Sequence, residues 1–271
     1  MRIAVLLKQV PDSDEVRMDE EKGTMIREGT GTIINPLDLH ALEAAVKVRS
    51  TWGGKVTVFS MGPPQAEKAL REAIALGSDE VVFLSDPRFA AADTWATART
   101  LVAAIEKNGP FDLILAGEKA TDGETGQVGP GVAAMLDLPF STYVSDFEIE
   151  ADDRVLVRRT VEDGIERQRL SLPCLLTVLR DLNEPGMPTL AGKKKGRRAD
   201  IPVTTLDDLA VDADEVGLAG SPTRVVRIFH PQVARTPVIY RGKDIKKGIS
   251  NLMEELEKRG LISGGGNRDG K

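Results

Sequence analysis

The chain has 271 residues, 41% hydrophobic and 29% charged, and carries a net charge of −6 at neutral pH. That length allows one large or two modest domains with a proper core, and the acidic balance argues against general nucleic-acid binding, which needs a basic face. A lone cysteine, Cys174, excludes an internal disulfide framework or a cysteine metal site.

Ile3 to Leu7 is a continuous apolar run, the pattern of a parallel strand covered on both faces. It is too short, and too soon followed by Lys8, Pro11 and Asp12, for a signal peptide; no stretch reaches membrane length, so a cytoplasmic, reducing setting is expected. No G-x-G-x-x-G follows this run and no G-x-x-x-x-G-K-[ST] occurs anywhere, which removes the standard dinucleotide fingerprint and the P-loop. Val16 to Gly31 reads as a polar excursion with a hairpin at Glu21-Lys22-Gly23. Asn35-Pro36 opens a helix, with Asn as N-cap, Pro at the first helical position, and Leu39, Leu42, Val46 and Arg49 on one stripe.

Lys55 to Met61 is a second strand, and Gly62-Pro63-Pro64 leads into a helix ended by Gly77. Glu80 to Leu84 is a third strand, Asp93 caps a helix that stops at Asn108-Gly109, and Asp112 to Ala116 is a fourth strand. This alternation predicts βαβ units and an α/β fold with a doubly wound, mostly parallel sheet, Rossmann-like and suited to adenine nucleotides.

The stretch Ala120 to Gly131, A-T-D-G-E-T-G-Q-V-G-P-G, then places four glycines in a strand-to-helix turn. Small residues there let the backbone approach a ligand and present a row of N–H donors, with a helix N-terminus aimed at the same place, which is how a phosphate is cradled; a plain tight turn is the competing reading. The turns at Leu6 to Gln9, Asn35 to Asp38 and Met61 to Pro64 also follow strands and are placed to share one crevice. Pro130 belongs either to the helix's first turn or to a break at Gly126.

From Ser141 the pattern changes to strands without helices. Tyr143 to Ile149, Val155 to Thr160, Ile165 to Leu170 and Cys174 to Leu179 read as an antiparallel meander, with Arg158 and Arg159 on its solvent face. A Pro- and Gly-rich loop at Asn183 to Pro188 precedes the basic cluster Lys193, Lys194, Lys195, Arg197 and Arg198. Ile201 to Asp214 is polar, with a short helix possible, and a proline-rich stretch at Pro231 to Pro237 leads to a last helix from Asp244 to Lys258. Ile245, Ile249, Leu252, Met253 and Leu256 form its stripe. His40 and His230 stand apart, outside any ligand-spaced set, so no metal is expected, and Cys174 reads as a buried small hydrophobe.

The ordered series K-Q-V-P-D at Lys8 to Asp12, I-N-P at Ile34 to Pro36, M-G-P-P at Met61 to Pro64, D-G-E-T-G-Q-V-G-P at Asp122 to Pro130, L-P-C at Leu172 to Cys174 and N-E-P at Asn183 to Pro185 resembles the β subunits of electron-transfer flavoproteins. The resemblance runs over about residues 1 to 262. It implies a heterodimer with an α subunit that carries an FAD, and a nucleotide on the β subunit that is either FAD or AMP. The cradle sequence is similar to the FAD-holding, electron-bifurcating members, as is Gly220-Ser221-Pro222-Thr223, whereas AMP-holding members act as simple shuttles for acyl-CoA dehydrogenases.

Carried over, the resemblance implies cofactor contacts at Leu6, Asn35, Pro36, Leu37, Asp38, Met61, Ala120, Thr121, Asp122, Gly123, Glu124, Thr125, Gly126, Gln127, Val128, Gly129, Pro130 and Gly131. It implies partner contacts at Leu190, Lys193, Lys194 and Lys195, where an apolar anchor docks a dehydrogenase-like or quinone-reducing partner. NADH would be the substrate, with ferredoxin or flavodoxin among the acceptors, and the chemistry would belong to the cofactor, so no catalytic acid–base pair is expected. Gly186 and Thr160 stand where an arginine and a glutamate occur in other members, which bears on partner identity.

The expected organisation is a nucleotide-binding core with its meander over 1–190, a recognition loop and linker over 191–224, an arm and helix packing on the α subunit over 225–262, and a disordered tail over 263–271. The reading from another class is a nucleotide-binding module of the universal-stress type, which shares strand-to-helix phosphate turns but gives no reason for the meander or the arm.

Overall fold

A computed structural model describes residues 1–12, 18–19, 24–25, 31–151, 153–226 and 237–262. Its two compact units are Met1–Ile228 and Phe229–Lys271.

The first unit is built on nine strands: β1 (Arg2–Leu6), β2 (Lys55–Met61), β3 (Glu80–Leu84), β4 (Leu113–Gly117), β5 (Phe140–Glu150), β6 (Arg154–Val161), β7 (Gly164–Ser171), β8 (Cys174–Val178) and β9 (Val203–Thr204). They form one sheet in the order β7-β6-β5-β8-β4-β1-β2-β3-β9. Every pairing from β5 to β9 is parallel, and only β5–β6 and β6–β7 are antiparallel. The central strands are the continuous apolar runs, because helices cover both faces of a parallel sheet. α1 (Pro36–Trp52) and α2 (Glu67–Leu76) close one face over Val5, Val58, Leu115 and Leu176. α3 (Thr94–Asn108) and α4 (Val128–Met135) close the other over Leu6, Phe59, Ile114 and Leu175. Phe59 meets Phe111 edge-on there, ring centroids 5.5 Å apart.

Three local expectations change. The antiparallel meander has three strands: the fourth run, Cys174–Val178, leaves it and inserts between β4 and β5, parallel to both. All five of its residues are buried, and a strand with no polar face belongs at the centre of a covered sheet. The segment after Thr189, expected as loop and linker, holds helix α5 (Leu190–Arg198) and edge strand β9. Thr189 caps α5 by accepting from the Gly192 N–H at 3.0 Å, and Gly192 and Gly196 let it lie against α2 so closely that a Cβ on either would collide with the carbonyls of Ala75 and Arg71. Ile201 to Asp214 contributes β9 and a single 3₁₀ turn at Leu206–Asp208, closed by a Thr205–Asp208 capping box.

Met18–Asp19 pairs antiparallel with Thr24–Met25, and Gln9–Pro11 with Thr32–Ile34. The hairpin turn at Glu21-Lys22-Gly23 lies outside the described residues, as do His230, most of the proline-rich stretch and the tail from 263. On the meander Arg158 pairs with Asp146 at 3.7 Å, while the Arg159 guanidinium donates to the Thr142 carbonyl and hydroxyl, both at 3.1 Å.

The second unit contains α6 (Ile245–Lys258) after a 3₁₀ turn at Gly242–Asp244. Its stripe of Ile245, Ile249, Leu252 and Met253 is exposed.

Candidate functional site

β1 lies between β4 and β2. From β1 the chain winds outward to β2 and β3, then returns to β4 on the other side of β1, so the connections leaving β1 and β4 diverge and leave a crevice beyond their carboxyl ends. Leu6 to Lys8 end one wall and Gly117 to Asp122 the other.

The first turn of α1 joins these walls from beneath. Asn35 precedes Pro36 as expected, yet its side chain makes no cap hydrogen bond. Fully buried, it donates from Nδ2 to the Lys119 carbonyl at 2.9 Å and accepts on Oδ1 from the Thr121 N–H at 3.1 Å, holding the start of the glycine-rich loop. Asp38, 6% exposed, accepts the Lys8 N–H on Oδ2 at 2.7 Å and the Gly117 N–H on Oδ1 at 3.0 Å. Burial pushes its pKa up to about 7, against the opposing pull of the N–H of Lys8, the Asn35 side chain, the N–H of Gly117 and the Lys8 charge. Across the mouth, Lys8 Nζ pairs with Asp122 Oδ1 at 2.6 Å.

The loop itself turns tightly at Ala120, whose carbonyl accepts from the N–H groups of Gly123 and Glu124 at 3.3 and 2.8 Å. Glu124 and Gly126 have left-handed backbones, at φ of 53° and 63°. Thr94 at the start of α3 donates to Gln127 Oε1 at 3.0 Å. Pro130 is the third residue of α4, where a missing N–H costs nothing because the first turn's donors have no intrahelical acceptor. Among the described residues, no acceptor within the chain engages the backbone N–H groups of Thr125, Gly126, Gln127, Val128 or Gly129. Gly129 lets α4 seat on β8, since a Cβ there would lie 2.5 Å from Thr177 Cγ2. Gly123 has open space around it, with nothing within 4 Å of where a Cβ would stand. The arrangement is a rim of free donors at a helix N-terminus, and its chemistry is that of an anion site.

Leu6, the 35–38 turn, Met61 and the 120–131 loop thus share the carboxyl edge of the sheet, with Met61 ending β2 beside β1. Gln9 ties the neighbouring turn by donating to the Gln65 carbonyl at 3.0 Å. Leu190 and Lys193 to Lys195 lie elsewhere, on α5 against α2, with Lys195 donating to the Ser78 carbonyl at 3.2 Å. Leu190 is 88% exposed and neighbouring Met187 89%. Lys8, Gln9, Thr94 and Gly117 stand at the crevice outside the expected contacts; the first two lie in K-Q-V-P-D, but nothing local singles out Thr94 or Gly117. No group of His, Cys, Asp and Glu among the described residues is placed to hold a metal ion. Cys174 is buried, which raises its thiol to about 12.

The family described as the electron transfer flavoprotein domain matches residues 22–209. Electron transfer flavoprotein subunit beta of Thermoanaerobacterium thermosaccharolyticum is 49% identical over 263 residues, which covers 97% of this chain and 100% of that protein. Caffeyl-CoA reductase-Etf complex subunit CarD of Acetobacterium woodii is 43% identical, with the same coverage. Protein FixA of Azotobacter vinelandii is 41% identical over 238 residues, 86% of this chain and 85% of its own. The chain belongs to the family of electron-transfer flavoprotein β subunits.

Proposed function

From that membership we propose that the chain binds FAD in the switch-point crevice, works as a heterodimer with an α subunit carrying a second FAD, and takes part in electron bifurcation from NADH in the cytoplasm. The observation that carries the reading is the row of N–H groups from Thr125 to Gly129 at the start of α4, which no acceptor among the described residues engages, bordered by an unobstructed Gly123. Backbone donors and a helix dipole suit a diphosphate, and a glycine at position 123 brings neither bulk nor charge beside it.

When bound, FAD supplies hydride acceptance from NADH and delivery of single electrons to a high-potential and a low-potential acceptor, the latter of ferredoxin or flavodoxin type. The chain's own part is to bind and orient. Ala120 to Gly131 hold the phosphates, Asn35 to Asp38 fix the loop, and Leu6 and Met61 supply apolar wall. The Lys8–Asp122 pair sets the charge at the mouth.

Met187 and Leu190, beside the cations of α5, form the dehydrogenase-docking surface, and the apolar stripe of α6 is the arm that packs on the α subunit. The relative named for a caffeyl-CoA reductase complex supports a partner that acts on acyl-CoA substrates. Acid release of nucleotides from the co-expressed heterodimer tests the assignment: two FAD per dimer supports it, and one FAD with one AMP replaces it by the simple shuttle.

A further inference from the structure

We propose that Asp38 is a positioning residue for the bound nucleotide, its carboxylate setting the spacing of the β1 and β4 carboxyl ends between which the phosphates are held. This rests on the nucleotide reading above, but it assigns Asp38 a support beneath the site in place of a contact within it.

The geometry is a two-oxygen brace. Oδ2 serves the last N–H of the β1 side, at Lys8, and Oδ1 serves the last of the β4 side, at Gly117. The strands so joined are direct neighbours in the sheet, Leu6 standing opposite Ala116. Gly117 is required for the approach: a Cβ there would lie 2.5 Å from Asp38 Oδ1 and 2.8 Å from the Leu37 carbonyl carbon. Two N–H donors converging on one buried side chain call for two acceptor oxygens, which an ionised carboxylate supplies. An amide or a protonated acid turns a donor towards one of them. Lys8 is the charged group that acts on Asp38, from the end of β1, and its ammonium is itself paired with Asp122; the nearest groups from β4 and from the approach to α1 are the uncharged Gly117 and Asn35.

The same burial makes the brace titrate near neutrality, because the carboxyl is raised from 3.8 to about 7. A carboxyl raised in the folded state favours folding when protonated, so its contribution to global stability falls as pH rises from the lower value through the upper. The order of the crevice changes in the opposite sense, since ionisation completes both N–H bonds. A merely structural acid would move stability and nucleotide retention together.

The test uses the co-expressed heterodimer and follows release of bound nucleotide and urea midpoints between about pH 5.5 and 8.5. In the wild type, release should slow about tenfold towards alkaline pH, the difference between charged and neutral hydrogen bonding, while Asp38→Asn should release faster and with a flat profile. The wild-type midpoint, measured relative to Asp38→Asn, should decline over the same range. Equal pH profiles in the two proteins, or none in the wild type, overturn the proposal. Should Asp38→Asn fail to fold, selectively labelled wild-type heterodimer decides: the Lys8 and Gly117 amide protons titrating together support the brace, and static ones overturn it. A wild-type heterodimer that holds no nucleotide at any pH is a different failure, that of the nucleotide assignment itself.

Discussion

The crevice and the α5 face are built by opposite means. At the crevice Asn35 and Asp38 are buried and spent on internal bonds, Asn35 on the loop and Asp38 on two strand ends, and the recognition offered outward rests on backbone N–H groups of the loop they support. On α5 the backbone is capped by Thr189 and pressed through Gly192 and Gly196 onto α2, and what faces outward is side chain: Leu190, Lys193, Lys194. Backbone donors recognise a phosphate whatever the residue that carries them, whereas exposed side chains recognise a particular partner. On the function proposed above, one chain would keep its nucleotide by conformation and choose its partner by composition.

The largest test of this contrast is Gly117→Ala, which forces a Cβ against Asp38 and Leu37. Overpacking of this kind costs about 3 kcal/mol and should empty the crevice as well, read as a lowered denaturation midpoint together with lost nucleotide. Next comes Gly192→Ala, whose Cβ meets the Ala75 carbonyl. It should cost about 2 kcal/mol by lifting α5, yet leave nucleotide content unchanged; a parallel loss of nucleotide would mean the two regions are not separable.

Gly123→Asp is a purely electrostatic probe, since the position is open and its backbone conformation ordinary. Stability should stay within about 0.5 kcal/mol, and nucleotide affinity should fall several-fold at low salt and recover as salt is raised; salt-independent weakening would point to a steric cause. Leu190→Ala should be the mildest, with stability changed by less than about 0.5 kcal/mol, and on the docking role proposed above its effect should appear only as weaker binding of a dehydrogenase-type partner by calorimetry.

Much of the architecture was legible because it follows from short-range physics. Lys55–Met61 and Glu80–Leu84 are strands over the expected bounds, and Asp93 caps α3 by accepting from the Ala96 N–H at 3.1 Å. What could not be read depends on distant partners. Asn35 before Pro36 looks like a cap, and only the arrival of Lys119 and Thr121, more than eighty residues along, diverts its amide. Asp38 looks like an acidic residue suited to a helix's first turn until Lys8 and Gly117 converge on it. Gly192 and Gly196 disfavour helix on intrinsic grounds, yet both are places where a helix touches another closely, and only α2 as a distant partner makes that close approach worthwhile. The apolar run of β8 was visible as a strand; that it had no polar face was the clue to its central position.

That central position governs the order in which the chain can be completed. β8 is the last strand to enter the middle of the sheet, sealing β4 on one side and β5 on the other. Until Cys174 to Val178 arrive, β4 presents a bare apolar edge, the kind of template on which a second nascent chain can pair. A chain truncated just before this point would carry every crevice-forming glycine and yet leave β4 and β5 without the strand that joins them, an edge open to pairing between chains.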